Sequence, residues 1–116
     1  MTSTDGPISI EDAVLRLDEP WKPIDLAIAN ESMLRLARVE GAFEWHAHDE
    51  DELFLCWQGS FRIELEGAEA VALERGDLYV VPRDVRHRPV ADSGPAYALL
   101  IEAPQTLQYG DARGDR

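Results

Sequence analysis

GAFEWHAHDEDELFLCWQG, residues 41–59, gathers most of the chemistry of this chain into one span. It places His46, His48 and Glu52 within seven positions, and the third and last histidine, His87, follows Gly76 and Pro82 far downstream. Side chains two apart on a strand point to the same face, so an extended stretch from Phe43 to His48 aims the imidazoles of His46 and His48 at one spot. Glu52 adds a carboxylate just past a short acidic break. Two imidazoles, a carboxylate and a third imidazole from a separate strand form a donor set suited to a first-row divalent metal. The rest of the chain is then the scaffold that brings His87 to the other three.

Outward from that span, the period is mostly two. Strands are expected over Ile24 to Ala29 and Met33 to Val39, joined by a turn at Asn30 and Glu31. Further strands are expected over Glu52 to Trp57, Phe61 to Glu66, Glu69 to Leu73, Leu78 to Val81 and Tyr97 to Glu102, with glycines at the turns. A short helix capped by Ser9 runs through Leu17, with Ile10, Ala13, Val14 and Leu17 on one face, and Pro20 and Pro23 stop it on either side of Trp21. Thr106 to Tyr109 could close a sheet edge. Short strands with little helix indicate an antiparallel sandwich or barrel.

Composition narrows the function. The chain has 116 residues, 45% of them hydrophobic, enough for one domain over 1–116 with flexible ends at 1–7 and 110–116. A net charge of -12 repels nucleic acid and anionic membranes. Cys56 is the single cysteine, so no disulfide forms within the chain, and its expected role is a small buried apolar residue. No apolar run reaches transmembrane length and the start lacks the pattern of a secretory signal, so a cytoplasmic protein is expected.

The two histidine-bearing stretches resemble the two signature motifs of the cupin superfamily, the small jelly-roll barrels. Gly41, His46, His48, Glu52 and Gly59 match the first motif, with one residue fewer between Gly41 and His46. Gly76, Pro82 and His87 match the second, where Asp84 replaces a glycine and Ala91 an asparagine. Asp tolerates the left-handed conformation that this turn needs. The resemblance covers roughly Leu34 to Glu102 and extends to small stand-alone cupins often labelled by analogy with sugar-phosphate isomerases. It implies an all-β double-stranded β-helix with a short N-terminal helix, a metal at the inner end of the barrel (Fe, Mn, Ni, Zn or Cu), and frequent homodimers, for which the apolar strand Leu53 to Trp57 offers a surface.

Four side-chain ligands, His46, His48, Glu52 and His87, on an octahedral ion leave two positions open for water, oxygen or a chelating small molecule. The leading expectation is a metal-dependent enzyme of dioxygenase or isomerase type acting on a small oxygen-chelating substrate. The alternatives are a non-catalytic metal-containing binding or regulatory module, and a purely structural metal. Asp49, Glu50 and Asp51 read as a solvated acidic turn rather than a general base. Arg86 and Arg88 flank His87 and so point away from its face, which leaves Arg83 as the candidate anion contact. Phe43, Trp45, Phe54, Trp57 and Tyr79 could line a pocket or pack a core. Phe54 shares the parity of His46 and Glu52, and with Tyr79 and Arg83 it makes the set of pocket candidates.

Overall fold

Seven antiparallel strands and one short helix make up the computed structural model, which describes residues 6–104. The expected edge segment Thr106 to Tyr109 and the expected flexible tail lie outside the described residues. Helix α1 spans Ile10–Val14, with the Ser9 hydroxyl accepting from the Asp12 N–H at 3.1 Å. It is shorter than expected because the chain tightens after Val14. Arg16 and Leu17 donate to carbonyls only three residues back, the geometry of a closing turn.

β1 (Ile24–Ala29), β2 (Ser32–Ala42), β3 (Glu52–Gln58), β4 (Ser60–Leu65), β5 (Ala68–Glu74), β6 (Leu78–Val81) and β7 (His87–Glu102) follow in order. They pair as β1-β2-β7-β3-β6, while β4 pairs with both β5 and β7. β7 is the hub. Its first residues, His87 to Val90, pair with β4, and its last part pairs with β2 on one side and β3 on the other. The expected short strand Tyr97 to Glu102 is thus only the end of a 16-residue strand. The turn-forming sequence Asp92 to Pro95 disguises it, because those residues are absorbed in a register shift where Val39 faces Ala96 but Gly41 faces Ala91.

Both faces of the central strands are covered, by different partners. Leu26, Leu36 and Leu99 pack outward against Ala13 and Leu17 at the helical end of the chain. The opposite faces of the same strands, with Ala37, Val39, Phe54, Cys56, Ala98 and Leu100, turn into the barrel. Cys56 is fully buried there, with its Sγ 3.2 Å from the Gly59 carbonyl. A side chain at Gly59 would be both strained and crowded, since its φ is 80° and a Cβ would lie 3.0 Å from both Ala96 Cα and the Pro95 carbonyl oxygen. At Asp84 the turn survives the missing glycine with a φ of 66°. The result is an all-β jelly-roll barrel. Among the described residues no helix is long and apolar enough to cross a membrane.

Candidate metal centre and cavity

The stretch Phe43 to His48, expected as a strand, makes only one bridge to β7, between His46 and His87. The physical reason is Pro89. Phe43 N–H donates to the Pro89 carbonyl at 3.1 Å, but proline has no N–H to return, and the ladder breaks. The bridge that remains is the one the site needs. His46 N–H donates to the His87 carbonyl at 3.0 Å and His87 N–H to the His46 carbonyl at 2.8 Å, fixing both imidazoles side by side with ring centroids 4.4 Å apart. Asp84 N–H donates to the His48 carbonyl at 2.7 Å, so the second turn also holds the first stretch.

The donor atoms of His46, His48, Glu52 and His87 all lie within 4.8 Å of one another, and all four residues are buried. An ion about 2.1 Å from each donor places neighbouring donors about 3 Å apart and opposite ones about 4.2 Å apart, so small side-chain rotations suffice to hold one. Glu52 Oε1 stands 3.3 Å from His48 Nε2 and 3.4 Å from His87 Nε2. The tautomers suit a cation. His46 Nδ1–H donates to the Glu44 carbonyl at 2.9 Å and His87 Nδ1–H to the Val85 carbonyl at 2.8 Å, which turns the Nε2 lone pair of each neutral ring free for a metal. His48 Nε2, His87 Nε2 and Glu52 Oε1 are buried with no hydrogen-bond partner. Three electron-rich atoms facing one another out of water are costly unless a cation sits among them.

Burial disfavours a charged imidazole and pushes His46 down to about 4. For Glu52 burial acts upward, but the neighbouring imidazoles of His48 and His87 outweigh it and hold the carboxyl well below its usual range. Glu102 goes the other way. Burial, followed by the facing Glu52 carboxyl, pushes it up to about 9 despite the hydrogen bond it accepts from Arg35. Two carboxyls in contact do not both ionise, and the proton of the pair resides on Glu102.

His46 and Glu52 open onto a cavity of about 460 Å³, whose wall also includes Phe43, Phe54, Arg35 and Glu102. That volume suits a small ligand. Of the three pocket candidates, Phe54 lies in this wall, edge-on to His87 with ring centroids 6.1 Å apart. Tyr79 and Arg83 do not line it. Tyr79 packs half-buried against the barrel core, and Arg83 is exposed, its backbone N–H donating to Asp51 at 2.9 Å. Asp49 and Asp51 are exposed, outside the cavity. Arg88 pairs with Glu64 at 2.7 Å and lies over the Trp45 ring, while Arg86 approaches Glu66 at 3.7 Å. Trp57 packs on the helical side of the sheet.

Arg35, Glu102, Asp25, Lys22 and Trp21 also line the cavity and were not expected there. Parity offered a signal for Glu102, which lies two residues from Leu100 and four from Ala98 on the inward face of β7. Trp21 carried none beyond its two flanking prolines.

The Cupin domain model matches residues 33–102, more than half of the chain. The chain belongs to the cupin family. This cupin is 35% identical over 60 residues to the uncharacterized protein YdbB of Bacillus subtilis (strain 168), covering 51% of its own length and 53% of YdbB. It thus spans about half the length of that curated relative. A crystal structure of a cupin-2 domain containing protein from Shewanella frigidimarina superposes with a TM-score of 0.78 at 32% identity, over 83% of this cupin and 93% of that chain. Hydroquinone 1,2-dioxygenase from Sphingomonas sp. TTNP3, in complex with 4-nitrophenol, matches with a TM-score of 0.79 at 19% identity, over 86% of this cupin and 33% of that chain. At that identity the likeness speaks to the fold.

Proposed function

We propose that this cupin is a metal-dependent enzyme, of dioxygenase or isomerase type, acting on a small substrate that chelates through oxygen atoms. His46, His48, Glu52 and His87 would hold one divalent transition metal (Fe, Mn, Ni, Zn or Cu). The observation that carries the reading is the junction of buried, unpartnered donors with a roomy cavity. A closed structural site has no use for such a space. The metal would supply Lewis-acid or oxygen-activating chemistry when bound. The chain's own residues orient the substrate and exclude water: Phe43 and Phe54 wall the donors off, and the backbone carbonyls of Glu44 and Val85 fix the imidazoles of His46 and His87.

The test is to strip the protein with chelator, reload it with each metal under anaerobic and aerobic conditions, and screen enols, diketones, phenols and sugars. Product formation that disappears in His87→Ala is the expected result. Saturable ligand binding without turnover would move the protein to the class of binding or regulatory modules, and a fully coordinated ion without exchangeable water would make the metal structural.

Cytoplasmic residence and pairing of two copies belong to the same proposal. For pairing, the support is an outward apolar row: Leu53 on β3 lies between Val80 on β6 and Ile101 on β7, and Val80 and Ile101 are exposed. Sedimentation as a monomer at high concentration removes it.

A further inference from the structure

Two of the four donors are braced from behind, His46 by the Glu44 carbonyl and His87 by the Val85 carbonyl. Among the described residues the Glu52 carboxyl meets His48, His87 and Glu102, and of these only Glu102 stands outside the donor set. The strand ladders put it there. β3 and β7 run antiparallel with Phe54 opposite Leu100 and Leu53 opposite Ile101, so one step further on Glu52 and Glu102 face each other on the inward side. Across β7, Arg35 of β2 lies opposite Leu100 and therefore diagonal to Glu102. Arg35, Glu102 and Glu52 form one row over three neighbouring strands, and the row ends at the four donors.

A pairing that served only Arg35 would turn both Glu102 oxygens to the guanidinium, the forked geometry that arginine favours. Here Arg35 gives Nη1 to Glu102 Oε2, and directs Nε to Asp25 at 2.8 Å and Nη2 to the Pro104 carbonyl at 3.3 Å. Glu102 Oε1 is left on the Glu52 side, buried and without another partner, in a side chain only 5% exposed. Two carboxyls placed opposite each other repel unless one proton lies between them. The contact is therefore a hydrogen bond, and Arg35 fixes its far end. A carboxylate that binds metal is oriented by an outer partner of this kind, and loss of the partner weakens the hold on the ion.

We infer that Glu102, braced by Arg35, is a positioning residue for the metal centre, holding the Glu52 carboxyl in the orientation that turns Oε1 toward His48 and His87. This rests on the metal-site reading above and adds to it an outer pair, Arg35 and Glu102, that is not itself among the donors. Glu102 does for Glu52 what the Glu44 and Val85 carbonyls do for His46 and His87.

The experiment is zinc titration of the full chain in competition with a chromophoric chelator, for the wild type, Glu102→Gln, Glu102→Leu and Glu102→Asp. Copper(II) electron paramagnetic resonance is recorded on the same proteins, and circular dichroism checks their folding. Gln is the conservative replacement, since its amide oxygen can accept from Arg35 while its amide N–H donates to Glu52. Leu fills similar space with no donor, and Asp keeps the acid but draws it back by one methylene. The expected result is that Glu102→Leu and Glu102→Asp bind zinc roughly tenfold more weakly with an altered copper spectrum, while Glu102→Gln stays within about threefold of the wild type and keeps its spectrum. Unchanged affinity and spectrum in Glu102→Leu overturn the inference; where Glu102→Leu does not fold, the same result in Glu102→Asp does. A loss in Glu102→Gln as large as in the variant without a donor also overturns it, because Glu102 would then act through charge and not through a bond to Glu52. A wild type that takes up no metal defeats the underlying reading instead, so the two failures are told apart before any variant is compared.

Discussion

Metal removal should cost this barrel much of its stability, and the size of the effect follows from the orphaned atoms of the site. His48 Nε2, His87 Nε2 and Glu52 Oε1 are buried without partners, with Glu52 Oε1 at 3.3 and 3.4 Å from the two ring nitrogens. An unsatisfied buried polar atom costs about 1–3 kcal/mol, so the three together cost about 3–9 kcal/mol, part of which protons can relieve in the stripped protein. An ion that binds only the folded state at about a thousand times its dissociation constant stabilises by about 4 kcal/mol. For a chain of this length, about 4 °C of melting temperature corresponds to each kcal/mol, so loading raises Tm by roughly 15 °C. Differential scanning calorimetry on chelator-treated protein, reloaded separately with manganese, iron, nickel, copper and zinc, measures this directly. His87→Ala should lose most of the shift, because it removes one donor and leaves Glu52 facing a single ring. Shifts below about 2 °C for every metal, or an undiminished shift in a folded His87→Ala, would refute the reasoning.

Acid should weaken the stripped protein through His46, whereas a surface histidine of unshifted pKa would leave stability unchanged. His46 is pushed from 6.5 to about 4 in the fold, so the unfolded chain binds the extra proton between those values and stability falls as pH drops from 6.5 towards 4, by at most about 3 kcal/mol; urea unfolding at pH 7, 5.5 and 4.5 checks it, and a flat series contradicts it. Glu102 has the opposite sign, since a carboxyl raised to about 9 keeps a proton that the unfolded chain has released, so its contribution is lost as pH rises from about 4.5 through 9. Glu102→Gln should therefore flatten the decline in stability between pH 7 and 9, and an unchanged decline would remove the carboxyl pair from the account. Gly59→Ala should destabilise by about 2–4 kcal/mol, adding the left-handed backbone cost to contacts at 3.0 Å with Ala96 and Pro95, with metal affinity of the folded fraction unaltered. Asp84→Gly should be neutral or better in thermal melts while Asp84→Val loses stability, because only the β-branched side chain resists a φ of 66°.

The four donors were legible because ligand chemistry restricts residue types and spacing, and all three histidines of the chain fall among them. The jelly-roll was legible for a related reason, as alternating strands separated by glycine turns leave few architectures. What stayed hidden is the polar wall, and β2 explains why. Its alternation of Leu34 and Leu36 with Arg35 and Ala37 reads as one core face and one wet face. In the fold both faces are covered: Leu36 lies under the helix and Arg35 points into the barrel. A charged residue on the inner face is tolerated only because Glu102 and Asp25 meet it there, and the Glu102 pairing spans 67 positions of sequence. Hydrophobic periodicity reports how many faces are apolar, and it is blind to a face whose polar residues satisfy one another across strands. The same blindness applies to β7, where Glu102 reads as a polar strand end yet belongs to the inward row of Ala96, Ala98 and Leu100. The polar residues that line the cavity beyond the four donors are thus the ones that break the pattern by which the fold was read.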